Sequence, residues 1–436
     1  MRFSPKNPSH SQTETIPPEE TKDRPFNGFR IAKSGVALNV VLDVRNQVQN
    51  YEMHRVRSRK RQPIAQASFE RQVEALVCDL AHREILQPGC WLAISLSNQV
   101  LGCKNRYRPD VFGKTLKTVI ENMASPELEF VEVIKGCRNP FHPELSRQTT
   151  IRAGRRLREK IEDSKLTLGD FRLGKAQEII ILKDTKEDHW DAGRWLQYED
   201  NLQTVAYREE LQQVNDWIED ADIEYIPIYE TSTHVDTTDL RLRRYFNNNC
   251  FEKGGRLFGG FWQHMNRQAR KGIVIDGHDT VTLDYGQMIA RALYGLAGAP
   301  YDFPDAYRIP GLEGYRDGVK KVFSAMLYAE EPLMRMPQGC RDLFPMKFSY
   351  AEVAAKVRDF HHQVSTYLHT GVGHCLTYQE SNIILTVLTR LNQRRITALP
   401  IHDAVIVAEP FQDQAIEIML EVFKNITGID GIVSIE

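Results

Sequence analysis

The 436-residue sequence lacks most of the features that would classify it at once. No apolar run approaches the roughly 20 residues that span a bilayer. The opening stretch MRFSPKNPSHSQTETIPPEE has no apolar segment of the signal-peptide kind. These absences predict a cytoplasmic protein with no membrane contact. The seven cysteines (Cys78, Cys90, Cys103, Cys137, Cys250, Cys340 and Cys375) are scattered, odd in number and never spaced as CxxC. That speaks against a disulfide framework or a zinc ribbon and fits a reducing compartment. His361, His362, His369 and His374 lie near Cys375, but no HExxH or paired Cys/His spacing accompanies them. No GxxxxGK[ST] loop is present, which argues against an ATPase or helicase. Neither charge dominates: 56 basic against 58 acidic side chains leave a net charge of -2. Any contact with nucleic acid must therefore rest on local patches. What remains is an ordinary globular composition, 42% hydrophobic and 26% charged, in a chain long enough for two or three domains.

Along the chain, residues 1–27 are rich in Pro, Ser, Thr and charge and read as a flexible tail. MHRVRSRKRQ follows, with Arg55, Arg57, Arg59, Lys60 and Arg61 close together. It reads as a solvated linker or as a phosphate-contacting arm. Apolar spacing predicts amphipathic helices over 64–86 and Lys114–Ala124. A strand candidate, LEFVEVIKG, comes next, then a polar excursion and RQTTIRAGRRLREKIE. Helix, strand, polar excursion and strand form the order of a winged-helix module, with Arg152, Arg155, Arg156 and Arg158 as a basic edge. Residues 28–175 are thus expected to be an α+β, winged-helix-like nucleic-acid-binding domain. A connecting α/β segment is expected over 176–240, with a strand at EIIILKD and a helix near 200–221. The Thr/Asp cluster at His234–Asp239 marks the boundary to a last domain, 241–436. There, Arg241, Arg243 and Arg244 mix with Tyr245 and Phe246, as on nucleic-acid surfaces or on a plain surface helix.

Three segments of the last domain carry chemistry. In VTLDYGQMIARALYG, Asp284 stands where a strand ends, a place from which a carboxylate can hold a hard cation. In GYRDGVKKVFSAMLYAE, Arg316, Lys320, Ser324 and Tyr328 recur every four residues and share a helical stripe. Two cations one turn apart, followed by a ring, suit a triphosphate at one end and a base or sugar at the other. In RITALPIHDAVIVAEP, apolar residues flank His402-Asp403 on both sides, as in a hairpin with the pair near its turn. Burying Asp403 there would be costly without a counter-ion. Singly, each has a plain alternative: a helix N-cap, a solvated face, turn residues bonded locally.

Together and in this order, the segments resemble motifs A, B and C of the family A DNA polymerases and of the related single-subunit phage RNA polymerases. Asp284-Tyr285-Gly286-Gln287 matches motif A, Arg316, Lys320 and Tyr328 match motif B, and His402-Asp403 matches motif C. Gly255-Arg256-Leu257 matches an upstream segment whose Arg touches the primer end. The resemblance covers about 245–436. It implies an α+β fold: a palm with an antiparallel sheet and small helical fingers. It also implies two Mg²⁺ ions, with Mn²⁺ as a substitute, about 3.5–4 Å apart on Asp284, Asp403 and the Tyr285 carbonyl. Arg316 and Lys320 would hold the phosphates, Tyr328 would stack near the base, and Gln287 and Ile289 would line the nucleotide site. Arg256, Arg270 and His402 would meet the primer-template, with Arg155 and Arg156 from the N-terminal region. The implied partners are nucleoside triphosphates and a DNA primer-template, or RNA.

Departures from the pattern bear on the sugar. The DNA enzymes carry a Glu five residues after the first Asp; here it is Ile289. The motif B aromatic is Ser324, with Phe323 one place early, and the Glu after His-Asp is Ala404. VKKV and the missing Glu lean towards the RNA enzymes, Asp-Tyr-Gly-Gln towards the DNA enzymes. Fidelity and processivity are expected to be low, because the A–B segment is short. The reading is a template-directed nucleotidyltransferase. The alternatives are a primase or RNA-polymerase-like enzyme, and a non-catalytic DNA-binding initiator or regulator. Glu380 and Ser381 read as capping residues at the start of the helix before motif C.

Overall fold

The computed structural model describes residues 23–55, 57, 59–137, 141–142, 146–186, 191–228 and 235–436. Residues 1–22 of the expected tail lie outside them, as do Val56 and Ser58 of the basic stretch and His234 of the expected boundary. The chain forms two compact units that mix helices and sheets. The first takes Leu38–Gly102, Gly113–Leu166 and the described residues up to Gly28; the second takes Phe29–Ala37, Cys103–Phe112 and Thr167–Glu436. The division therefore falls at 166/167 rather than at 175/176, and position 240/241 lies inside the second unit. The reason is long-range pairing: Phe171–Leu173 pairs with Arg30–Ala32, and Ile180–Leu182 runs parallel to Leu242–Phe246. The end of the expected tail is also ordered, since Arg24–Pro25 pairs with Leu92–Ala93.

In the first unit a four-stranded sheet has the order Arg24–Pro25, Leu92–Ile94, Thr149–Ala153, Val131–Ile134. The helix Pro63–Leu86 presents Phe69, Val73, Leu76, Val77, Leu80 and Ala81 to the interior. Buried acids are matched by donors: Asp79 takes Arg24 and the Asn27 N–H, both at 2.7 Å. Glu52 takes Asn122 at 2.8 Å and Arg61, which also lies 3.7 Å over the Phe69 ring. Arg61 is thus an internal partner, not part of a phosphate arm.

The second unit is built on a six-stranded sheet. Its path runs Ala398–Ile401, Ala404–Ala408, His278–Tyr285, Ile273–Ile275, Ile223–Tyr225, and Val433–Ile435 pairs with His278–Tyr285 off this path. Helices Val372–Gln393 and Gln412–Thr427 give it a core through Ile383, Ile384, Val387, Leu388 and Leu391 from one, and Ala415, Ile418, Met419, Val422 and Phe423 from the other. A second core is helical, formed by Met288–Ala297, Arg316–Tyr328 and Tyr350–Phe360 with their connecting loops. Next to the main sheet, Gly254–Gly259 and Leu242–Phe246 pair antiparallel. Arg243, Arg244, Tyr245 and Phe246 therefore lie in a strand, with Arg241 just before it, and not on a surface helix. Arg241 and Arg244 are buried, which removes them from any open face.

Gly259 ends that hairpin at φ 125°, with the Arg241 carbonyl where a Cβ would stand. Glycine alone fits such a conformation and approach. Gly259→Ala is expected to lower stability by about 1–3 kcal/mol for the backbone conformation alone, read as a fall in the denaturant midpoint with an unchanged slope.

Candidate functional site

The pairing register brings Asp284 and Asp403 together. Along His278–Tyr285, side chains alternate in direction. Leu283 and Tyr285 are buried in the core, while Asp284 between them is partly exposed on the other face. Asp284 lies opposite Ala404 in the neighbouring antiparallel strand. Asp403 immediately precedes Ala404, in the two-residue turn between Ala398–Ile401 and Ala404–Ala408. The Tyr285 N–H donates to the Asp403 carbonyl at 3.3 Å, so the pairing continues past the strand end. His402 forms the first half of the turn at φ 53°, a conformation few non-glycine residues adopt.

The electrostatics follow from this placement. The Asp284 carboxyl is pushed up to about 7, first by burial, then by the negative charges of Asp403 and Glu436. Lys320 and Arg267 act in the opposite direction. Glu436 follows the strand Val433–Ile435; its N–H donates to the Thr282 carbonyl at 2.9 Å. Among the described residues, no group of three or more His, Cys, Asp or Glu side chains is arranged as a metal cage. Two carboxylates and a carbonyl nevertheless fit Mg²⁺, an oxygen-seeking ion that keeps several waters and binds through one or two carboxylates plus substrate phosphates.

Arg316, Lys320, Ser324 and Tyr328 stand on the outer side of the helix Arg316–Tyr328, while Val319, Val322, Phe323, Met326 and Leu327 are buried. Phe323 packs on the His361 ring at 4.5 Å, so it does not replace the aromatic that Ser324 lacks. Arg316 pairs with Asp305 at 2.6 Å. The Tyr307 ring lies 5.4 Å from the Arg316 guanidinium and 5.9 Å from the Lys320 amine. At the far end, the Tyr328 hydroxyl is 2.5 Å from the Thr377 hydroxyl. The Tyr328 ring lies over Gly373, where a Cβ would come within 2.9 Å of it.

Arg256 is fixed by Glu380 through two hydrogen bonds of 2.6 and 3.0 Å. Burial raises the Glu380 carboxyl pKa and Arg256 opposes the rise. Glu380 is not a capping residue: the helix begins at Val372, and Glu380 is buried well inside it. Ser381 beside it accepts from Arg244 at 3.0 Å. Arg256 and Tyr328 share the wall of a cavity of about 660 Å³ with Arg243, Tyr245, Phe258 and Thr377. His402 packs edge-on against Phe258 at 5.6 Å, and burial, Arg256 and Arg270 all favour its neutral form, with Asp403 opposing them. Arg270 closes the short helix Arg267–Arg270.

Other expected site residues are occupied elsewhere. The Gln287 amide accepts from the Tyr301 hydroxyl at 2.6 Å and from the Ala306 N–H at 2.7 Å, and donates to the Pro304 carbonyl at 3.1 Å. It braces a loop rather than facing a nucleotide. Ile289 packs on the helical core. Arg155 and Arg156 belong to the first unit and are engaged there, Arg155 with Glu129 and Glu159, Arg156 with the Glu127 carbonyl at 2.9 Å and with Gln47. Asp305, Tyr307 and Glu436 were not foreseen. Their positions depend on folding, and no local pattern marks them.

No protein-family model matches the chain, and no curated protein matches it in sequence. Among solved structures 77 chains match. One is the polymerase domain of Pol1 from M. smegmatis in complex with DNA primer-template and dNTP, at TM-score 0.31 and 12% identity. That match spans 94% of this chain and 66% of the polymerase chain, just under two thirds of its length. At this score the likeness is weak, and the site stands on its own residues. No helix among the described residues is long and apolar enough to cross a membrane.

A raised carboxyl favours its protonated form on folding. Its contribution to stability is complete below the unfolded pKa of about 3.9 and is lost as pH rises through about 7. Metal-free Asp284→Asn is therefore expected to melt above the parent at about pH 8, with the gap closing towards about pH 4. Calorimetry across that range checks it; a constant gap would contradict a titrating Asp284 as its cause.

Proposed function

We propose that the chain is a template-directed nucleotidyltransferase with a polymerase-like palm, adding nucleotides to a primer 3′-hydroxyl. One observation carries the reading: antiparallel pairing holds Asp284 beside the turn that bears Asp403, and Asp403 raises the carboxyl of Asp284. Like charges kept this close, with the pair partly open to solvent, are an arrangement that stability alone disfavours. Asp284, Asp403 and the Tyr285 carbonyl would hold divalent ions, whose chemistry is to neutralise phosphate charge and make a hydroxyl more acidic.

The chain's own residues supply the positioning. Lys320 acts electrostatically on Asp284, so a phosphate held by Lys320 is held near the acidic pair, whose repulsion the divalent ions would offset. Arg316 exchanges its Asp305 partner for a phosphate; a guanidinium favours either acceptor through a two-point contact. Tyr328, tied to Thr377 and packed on Gly373, offers a fixed surface for a base. Arg256 reaches the cavity wall in one orientation because Glu380 fixes it, as a contact at a primer end requires. Phosphoryl transfer depends on such positioning and charge compensation.

Ile289 favours tolerance of both sugars, because an apolar residue packed on the helical core presents no carboxylate to a 2′-hydroxyl. Primer extension on a DNA template with Mg²⁺, using deoxy- and ribonucleoside triphosphates side by side, tests both points. Incorporation of both is expected, with Asp284→Asn and Asp403→Asn each lowering it by about 10²–10³-fold or more. Extension that survives either substitution would falsify the assignment.

A further inference from the structure

The first unit carries a surface that the polymerase reading does not use. Its chain order is helix Pro63–Leu86, strand Leu92–Ile94, short helix Asn98–Gly102, helix Leu116–Met123, then strands Val131–Ile134 and Thr149–Ala153. Thr149–Ala153 lies between the other two strands and is antiparallel to both. Helix, strand, two helices and two strands is the order of a winged-helix module, in which the second of the two helices enters a groove; here thirteen residues separate these two helices, and Cys103–Phe112 among them belong to the second unit. Leu116, Val119, Ile120 and Met123 anchor that helix in the core, and Gln72 bonds Thr115 just before it at 3.0 Å. Lys114, Lys117, Thr118 and Glu121 are left exposed.

A groove of about 760 Å³ separates this helix from the wing strands, lined by Lys117, Ile120, Glu121, Val133, Lys135 and Arg147 among others. The charge around it is asymmetric. Arg152, Arg155 and Arg158, which looked like a basic edge in the sequence, are neutralised by Glu132, Glu129 and Glu159. Lys114, Lys117, Lys135 and Arg147 form no ion pair among the described residues. An exposed helix with cations on itself and on the adjacent wing matches a groove flanked by two phosphate strands. The B-form major groove, about 12 Å wide, admits a helix, whereas the deep, narrow major groove of duplex RNA does not.

We propose that the first unit binds B-form duplex DNA, with the helix Leu116–Met123 in the major groove and Lys114, Lys117, Lys135 and Arg147 on the phosphates. This binding is separate from the chemistry at Asp284 and Asp403. It gives the protein a hold on duplex that needs no primer end.

The test uses the full chain and a DNA dumbbell, a duplex closed by a hairpin loop at each end, followed by fluorescence anisotropy over a range of salt. The parent is expected to bind. Lys117→Ala/Lys135→Ala/Arg147→Ala, all at exposed positions, should reduce the log–log salt slope by about 2–3 and weaken binding at least about tenfold. Arg71→Ala, which removes an exposed cation on another element of the unit, should bind as the parent does. Equal melting temperatures will show that the triple variant is folded. The proposal is overturned if the triple variant binds with the parent's affinity and slope, or if duplex RNA of equal length binds more tightly than the dumbbell. Asp284→Asn should leave dumbbell binding unchanged, so loss of extension and loss of duplex binding are read separately.

Discussion

Two carboxylates that repel each other are held in place by a β-sheet, and the second unit is organised around that constraint. The repulsion cannot be relieved by sliding the strands. A one-residue shift of His278–Tyr285 would turn Asp284 into the core and bring Leu283 or Tyr285 out of it. Leu283, Tyr285, Val405 and Val407 are buried almost completely, so apolar burial fixes the register that the charges oppose. The Tyr285 hydroxyl adds a buried hydrogen bond of 2.6 Å to the Met419 carbonyl. The stability of the fold thus maintains a local arrangement that is unstable by itself, as at many functional sites.

The surroundings moderate the acidic pair without neutralising it. Lys320 and Arg267 act on Asp284 through space, and neither makes a close ion pair with it among the described residues. Arg256, whose charge interacts with that of Asp403, is directed into a two-point contact with buried Glu380. Had Arg256 paired with Asp403 instead, the site would have been electrically satisfied and of little use to a divalent ion. Glu380 therefore fixes where the Arg256 guanidinium lies.

The sequence made the local parts of this picture legible. Period-2 and period-3.6 patterns located the Asp284 strand, the His402-Asp403 turn and the helices on either side of it, because their burial follows from neighbouring residues. What depends on distant partners was not legible. Glu380 reads as a cap because Gly371 and Gly373 blur the start of its helix; Gly371 in fact holds the N-cap position at φ 72°, and Gly373 makes room for Tyr328. Gln287 was expected to line a nucleotide site, yet its amide is taken up by a loop fourteen to nineteen residues further on. The parallel pairing of Ile180–Leu182 with Leu242–Phe246 crosses more than sixty residues and puts position 240/241 inside the second unit, which no local composition reveals.

Net charge misleads for a related reason. A total of -2 gives no sign of affinity for a polyanion, but the total counts cations that are already matched. Arg24, Arg61, Arg106, Arg155 and Arg208 all face carboxylates within the fold. What a phosphate meets is the remainder, which includes Lys320, whose charge acts on Asp284, and Lys114, Lys117, Lys135 and Arg147 in the first unit. Screening acts over about 8–10 Å at physiological salt. An ion at any one surface therefore responds to the few side chains around it and not to the chain's total, so a nearly neutral protein can still present local cationic patches.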